Sequence, residues 1–97
     1  LYATEVPLRT MKAAAKVFPL VRAMAEEGNP NSVSDAGVGA LAARSAVLGA
    51  RLNVRINAAG LKDRTVAERL IGEADAIAAE AEREEREVIA IVEQKIG

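Results

Sequence analysis

The chain has 97 residues, 51% of them apolar, and its 13 basic side chains nearly balance 14 acidic ones for a net charge of −1. That length holds one domain at most, the apolar share excludes intrinsic disorder, and the charge balance gives no general pull toward nucleic acid. The absence of Cys and His removes disulfide frameworks, thiolate sites, the usual zinc ligand and the usual general acid and base.

Neither a metal site nor a tightly bound cofactor is expected from such a composition. Ala supplies 21 residues, while Tyr2 and Phe18 are the only aromatics. A core this short of large side chains needs helices that approach closely, and small scaffolds without staples commonly add oligomerisation. A homodimer or higher homo-oligomer is therefore expected.

Breaks at Gly28–Asn31 and Ala59–Lys62 divide the chain into three helices, and no strand pattern competes. The first runs from about Thr4 to Glu27, with Leu8, Met11, Ala15, Phe18, Val21 and Ala25 on one face. Pro7 falls in its first turn, where the missing donor costs little. Pro19 removes an interior hydrogen bond and is expected to kink or interrupt the helix near Ala15–Phe18. Gly28 then supplies a left-handed C-terminal cap.

The second helix is expected from about Ser32 to 58. Ser32-Val33-Ser34-Asp35 matches a capping box, with the Asp35 carboxylate beside the positive end of the helix dipole. From Ala36 to Ala50 the pattern is apolar or small almost all round. Gly37, Gly39 and Gly49 each cost up to about 1 kcal/mol relative to Ala, which implies close packing on several sides. The stretch is interrupted by Arg44 and Ser45 and falls short of the ~20 residues of a bilayer span, so no membrane partner is expected. With no signal peptide, the expected compartment is the cytoplasm.

The third helix starts at Asp63 as N-cap and runs to about Lys95, close to 50 Å at about 1.5 Å per residue. Ala67, Leu70, Ala74, Ile77, Ala81, Val88 and Ile91 hold a near-heptad stripe that breaks at Glu84 and Glu85. The charged run from Glu80 to Glu87 reads as a solvated helix face. All three helices pack as part of an oligomeric all-α bundle. The opening LYATEV, without an initiator Met, reads as the start of a segment inside a larger architecture.

Two polar pairs stand where the second helix ceases to be apolar. Arg51 and Arg55 lie four apart on one face, Asn53 and Asn57 four apart on another. Asn is a poor helix former, so a matched pair beside a buried segment calls for a reason. An Asn pair can read the donor and acceptor edge of a heterocycle, and an Arg can hold a carboxylate tail. Helix-end solvation and interhelical hydrogen bonding account for the same spacing. Ser34 and Asp35 are weaker binding candidates, because capping alone explains both.

Four strings in order, ATEVPLRT at Ala3–Thr10, GNPNSVSD at Gly28–Asp35, LNVRIN at Leu52–Asn57 and GLKD at Gly60–Asp63, resemble the C-terminal half of the cyclodeaminase and cyclohydrolase family of folate enzymes. The resemblance covers nearly the whole chain. It implies an all-helical fold that dimerises and a tetrahydrofolate derivative as substrate. The chemistry implied is conversion of a formimino group to a methenyl bridge with release of ammonia, or hydrolysis of that bridge. It also implies an earlier half, with a PGGGS-type opening and a helix bearing the presumed catalytic aspartate, that this sequence does not contain. Cyclodeamination needs a general acid, and no catalytic residue is assigned within the chain. The contrasting expectation is a non-catalytic helical oligomerisation module.

Overall fold

A computed structural model describes residues 2–97, with side chains from residue 5 onward. Four helices follow one another: α1 (Tyr2–Ala15), α2 (Val17–Glu27), α3 (Pro30–Ala59) and α4 (Arg64–Ile96), with no strand among the described residues. The four form a rod of 51 × 17 × 15 Å in which α3 lies against α1, α2 and α4.

The first expected helix is two helices, broken at Lys16. Pro19 accounts for the position of the break, because its ring crowds the carbonyl four residues back, that of Ala15, and it has no N–H to offer there. The Lys16 N–H closes a tighter turn on the Ala13 carbonyl instead. Helix α1 also begins at Tyr2, ahead of the expected Thr4, so Pro7 sits in its interior; Leu1, at the head of the LYATEV string, lies outside the described residues. Gly28 ends α2 in the left-handed region at φ 81°, as its position predicts.

The start of α3 corrects the expected capping box. The cap is Asn29, whose Oδ1 accepts from the Asn31 and Ser32 N–H groups at 3.0 and 3.4 Å, with Pro30 at the first helical position. An extended Asn followed by Pro satisfies the orphan donors three residues sooner, since Pro has none to satisfy and its φ is already helical. Ser34 and Asp35 thereby fall inside the helix and are exposed. The expected cap of α4 is present: Asp63 accepts from Thr65 and Val66 N–H.

The core is built from few large side chains. Met11, Phe18, Val33, Val47, Val54, Leu70 and Val88 are fully buried, and Ala25, Ala36, Ala40, Ala58, Ala67 and Ala74 fill the spaces between them at 0% exposure. Buried alanines at helical spacing on α3 and α4, with Ala25 on α2, allow the helices to approach closely, as the composition requires. The burial of α3 is one-sided, however. Val33, Ala36, Ala40, Val47 and Val54 face the bundle, while Val38, Leu41, Leu52 and Ile56 face outward, so the expectation of packing on several sides is not met within one copy.

The glycines of α3 show the same division. A Cβ on Gly39 would stand 2.8 Å from Val21 Cγ1, whereas one on Gly49 would meet nothing within 4 Å. Val21 is buried and β-branched, so it yields little. Gly39→Ala is expected to lose about 1 kcal/mol net, because overpacking of about 1–3 kcal/mol outweighs the helix gain. Gly49→Ala is expected to gain about 0.5–1 kcal/mol. Opposite shifts of the urea midpoint would establish the pair.

The acidic run on α4 is only partly a solvated face. Glu84 and Glu85 keep 19% and 15% of their side chains exposed, and they turn inward to Arg22 of α2 at 3.3 Å and Arg44 of α3 at 3.9 Å. Arg22 also holds Glu87, whose carboxyl it draws below the usual range, with Arg83 adding to the effect. Arg83 itself bonds Glu80, Glu84 and Glu87 along the outer surface. The interruption of the apolar stripe at Glu84 and Glu85 is thus a polar layer joining three helices.

Candidate functional site

An α-helix turns its side chains by about 100° per residue, so Arg51 and Arg55 project to one flank of α3 and Asn53 and Asn57 to nearly the opposite one. The flank that carries the arginines faces α4, and α4 answers with Asp75. Arg51 Nε donates to Asp75 Oδ1 at 2.8 Å, and Arg55 Nη2 reaches Oδ1 and Oδ2 at 3.1 and 3.2 Å. One carboxylate therefore fixes two guanidinium groups one turn apart. The side chains remain 31%, 48% and 41% exposed for Arg51, Arg55 and Asp75, so the cluster is open to solvent.

The charge of this cluster is two positive against one negative. Hydrogen bonding from Arg51 is the largest effect on Asp75, and with Arg55 it outweighs the desolvation that opposes it, holding the carboxyl below its ordinary value. Asp75 is thus an ionised positioning group at neutral pH, poorly suited to donate a proton. The N–H groups that point away from Asp75 offer a forked donor array of the kind that binds carboxylates.

The depressed carboxyl has a consequence for stability. Since the folded-state value lies below the unfolded one of ~3.9, the contribution of Asp75 is full above that value and is lost as pH falls through the folded-state value. Exposure and screening limit it to on the order of 1 kcal/mol or less. Asp75→Asn is expected to lower the urea midpoint at pH 7, with the gap to the parent chain closing below about pH 4; a gap independent of pH would contradict the assignment.

The remaining sequence candidates stand elsewhere. Asn53 is exposed, and Asn57 is half-buried and engaged in polar contact. Ser34 and Asp35 lie between four and five turns toward the start of α3, about 24–26 Å from the Arg51 level at about 1.5 Å per residue. The structure brings Arg51 and Arg55 together and separates them from Ser34, Asp35 and the Asn pair. Asp75 was not singled out from the sequence. Its signal was weak but present: an Asp in the interior of a long helix, beside the apolar stripe at Ala74 and Ile77, is a poor helix former without a local reason.

A separate cleft of about 560 Å³ lies between α1 and α4, lined by Glu5, Leu8, Arg9, Lys12, Arg69, Leu70 and Glu73. None of the sequence candidates reaches it. Its cations are largely answered within the chain, Lys12 and Arg69 by Glu73 at 3.8 and 3.1 Å, and Arg9 is also engaged. Among the described residues no group of three or more acidic side chains is arranged to hold a metal ion, and no helix is long and apolar enough to cross a membrane.

The sequence model of the formiminotransferase-cyclodeaminase family matches residues 1–76, a span that contains Arg51, Arg55 and Asp75 and ends one residue beyond the last of them. A methenyltetrahydrofolate cyclohydrolase of Methylorubrum extorquens is 39% identical over 95 residues, an alignment that takes in 98% of this chain and 46% of that protein. The chain thus spans less than half the length of this relative.

Proposed function

Because the chain belongs to the formiminotransferase-cyclodeaminase family, we propose that it is the C-terminal half of a folate-dependent one-carbon enzyme. Its ligand is a tetrahydrofolate derivative, and the reaction it serves is cyclodeamination of the formimino form or hydrolysis of the methenyl form. The observation that carries this reading is the Arg51–Asp75–Arg55 cluster, within the family-matched span. In it the arginines bind the carboxylate end of the ligand and Asp75 positions them. Asn53 and Asn57, on the other flank, are contacts for a polar heterocycle edge, and Ser34 and Asp35 are more distant candidates.

No general acid for loss of ammonia is assigned within the chain. Asp75 is held ionised, so the proton source belongs to other parts of the enzyme. We place the protein in the cytoplasm as a homodimer or higher homo-oligomer without a tightly bound cofactor. Support for self-association comes from the thin core and the outward apolar side of α3.

Titration calorimetry with tetrahydrofolate tests the reading. Micromolar binding that weakens on Asn53→Ala or Asn57→Ala supports a folate site reaching both flanks, and absence of binding at millimolar ligand leaves a non-catalytic helical oligomerisation module. Assay of this chain beside a form extended at its N-terminus separates binding from catalysis, and full activity of the short form would refute the assignment of the acid to other parts of the enzyme.

A further inference from the structure

Two lines of α4 face the bundle. Leu70, Ile77 and Ile91 stand on one, and Ala74, Ala78, Ala81, Val88 and Val92 on the other. Helical spacing places Glu84 on the first line, midway between Ile77 and Ile91, and Glu85 on the second, between Ala81 and Val88. The two acids thus occupy seam positions where an apolar residue would fill the core. Between Leu70 and Val88, a length of about 27 Å at about 1.5 Å per residue, the buried residues of α4 are all alanine, and Ile77 is half-buried.

Alanine ridges are shallow, so they let helices approach closely but hold their rotation weakly. Rotation decides whether Asp75, inside this span, reaches α3. At the ~5–6 Å radius of side-chain ends, a turn of about 30° moves a carboxylate by about 3 Å, enough to break its bonds to Arg51 and Arg55. Two pulls resist such a turn. Arg22 reaches from α2 to Glu84 and Arg44 from α3 to Glu85. Adjacent helical residues point about 100° apart, so rotation in either sense stretches one of the pairs.

These pairs are a poor source of stability. Arg44 Nε is buried, stands 3.9 Å from Glu85 Oε2 and has no hydrogen-bond partner among the described residues. A half-satisfied polar layer is costly, and well-packed apolar residues in place of a largely buried ion pair are often neutral or stabilising. What a polar residue at a seam position supplies is specificity of packing, as in a coiled coil.

We propose that Glu84 and Glu85 are positioning residues for the Arg51–Asp75–Arg55 cluster: held by Arg22 and Arg44, they fix the rotation of α4 at which Asp75 meets both arginines. This rests on the reading of that cluster as the carboxylate-binding group and adds what holds it in place.

Carbon-13 NMR titration of the Asp75 carboxyl in the ligand-free chain tests it. In Arg44→Leu/Glu85→Leu the seam is filled and no net charge is removed; helix content and the urea midpoint are expected to be kept, while Asp75 titrates at higher pH than in the parent chain. The substituted pair lies about 15 Å from Asp75 along the axis, beyond the ~8–10 Å screening length, so such a rise reports lost hydrogen bonds and not lost charge. Glu84→Gln/Glu85→Gln, which keeps the shapes, covers the case in which the leucine pair fails to fold. Loss of two negative charges would by itself lower the Asp75 value, so a rise there too reports rotation. Tetrahydrofolate affinity is expected to fall about three- to tenfold in both variants, no more than the loss of one charged hydrogen bond. Asp75 titrating as in the parent chain in a folded variant would overturn the proposal, whatever the ligand does. A parent chain that binds no tetrahydrofolate, with the Asp75 value raised in the variants, would refute the folate site and leave the positioning role standing.

Discussion

Phe18→Ala is expected to lower the unfolding free energy by about 3–5 kcal/mol, the range for truncating a buried aromatic ring. Phe18 is 1% exposed and is the largest of the fully buried side chains. It stands one residue before the proline that breaks the N-terminal arm, so it holds α2 against the bundle where hydrogen bonding along the helix is interrupted. The rest of the core is Val, Ala, one Leu and one Met at this level of burial, and such side chains have little reach with which to collapse into the cavity. Against a typical total of about 5–15 kcal/mol, that loss removes a large part of the stability. Phe18→Leu, which keeps most of the volume, is expected to cost less than about 1.5 kcal/mol. Urea denaturation followed by circular dichroism measures both, and a Phe18→Ala loss under 1 kcal/mol would mean that α2 is not seated as described.

Arg51→Ala is expected to weaken binding of a tetrahydrofolate ligand about 10- to 100-fold. A hydrogen bond to a charged group contributes about 1.5–3 kcal/mol, and each 1.4 kcal/mol is tenfold in affinity. Arg51 makes the shortest contact of its cluster, 2.8 Å to Asp75, and is the less exposed of the two arginines, so it is the better fixed donor. Arg51→Lys keeps the charge but loses the fork, and is expected to recover only part of the affinity. Asp75→Asn is expected to weaken binding less than Arg51→Ala, since it loosens the arginines without removing them. Calorimetry on variants of matched helix content decides the matter. Affinity of Arg51→Ala within twofold of the parent chain would remove the cluster from the site and leave it as a bridge between α3 and α4.

Much of the fold was legible because its signals are local. Gly28 and Asp63 mark helix ends through their own backbone geometry or side-chain oxygens, and Leu8, Met11, Phe18, Val21 and Ala25 reveal a buried face through spacing alone. Pro19 announced a break, and the break falls where its ring and missing donor place it. The start of α3 was misread because two caps compete within four residues: Asn29 with Pro30 and Ser32 with Asp35 both satisfy local rules, and the earlier one lengthens the helix.

The candidate site was half legible for the opposite reason. Arg51 and Arg55 were visible as a pair at helical spacing, but their partner Asp75 lies 20 residues beyond Arg55 and on another helix, where no periodicity connects them. The Glu80–Glu87 run likewise looked uniformly solvated until packing turned Glu84 and Glu85 toward Arg22 and Arg44.

By itself the sequence determined the helices, their approximate ends, the small-residue character of the core and the family, since each is written in composition, local spacing or contiguous strings. The tertiary structure alone decided which charges meet and which apolar side of α3 is left uncovered. Both depend on how the helices are rotated about their axes when they pack, and that rotation is fixed by contacts between residues far apart in the chain.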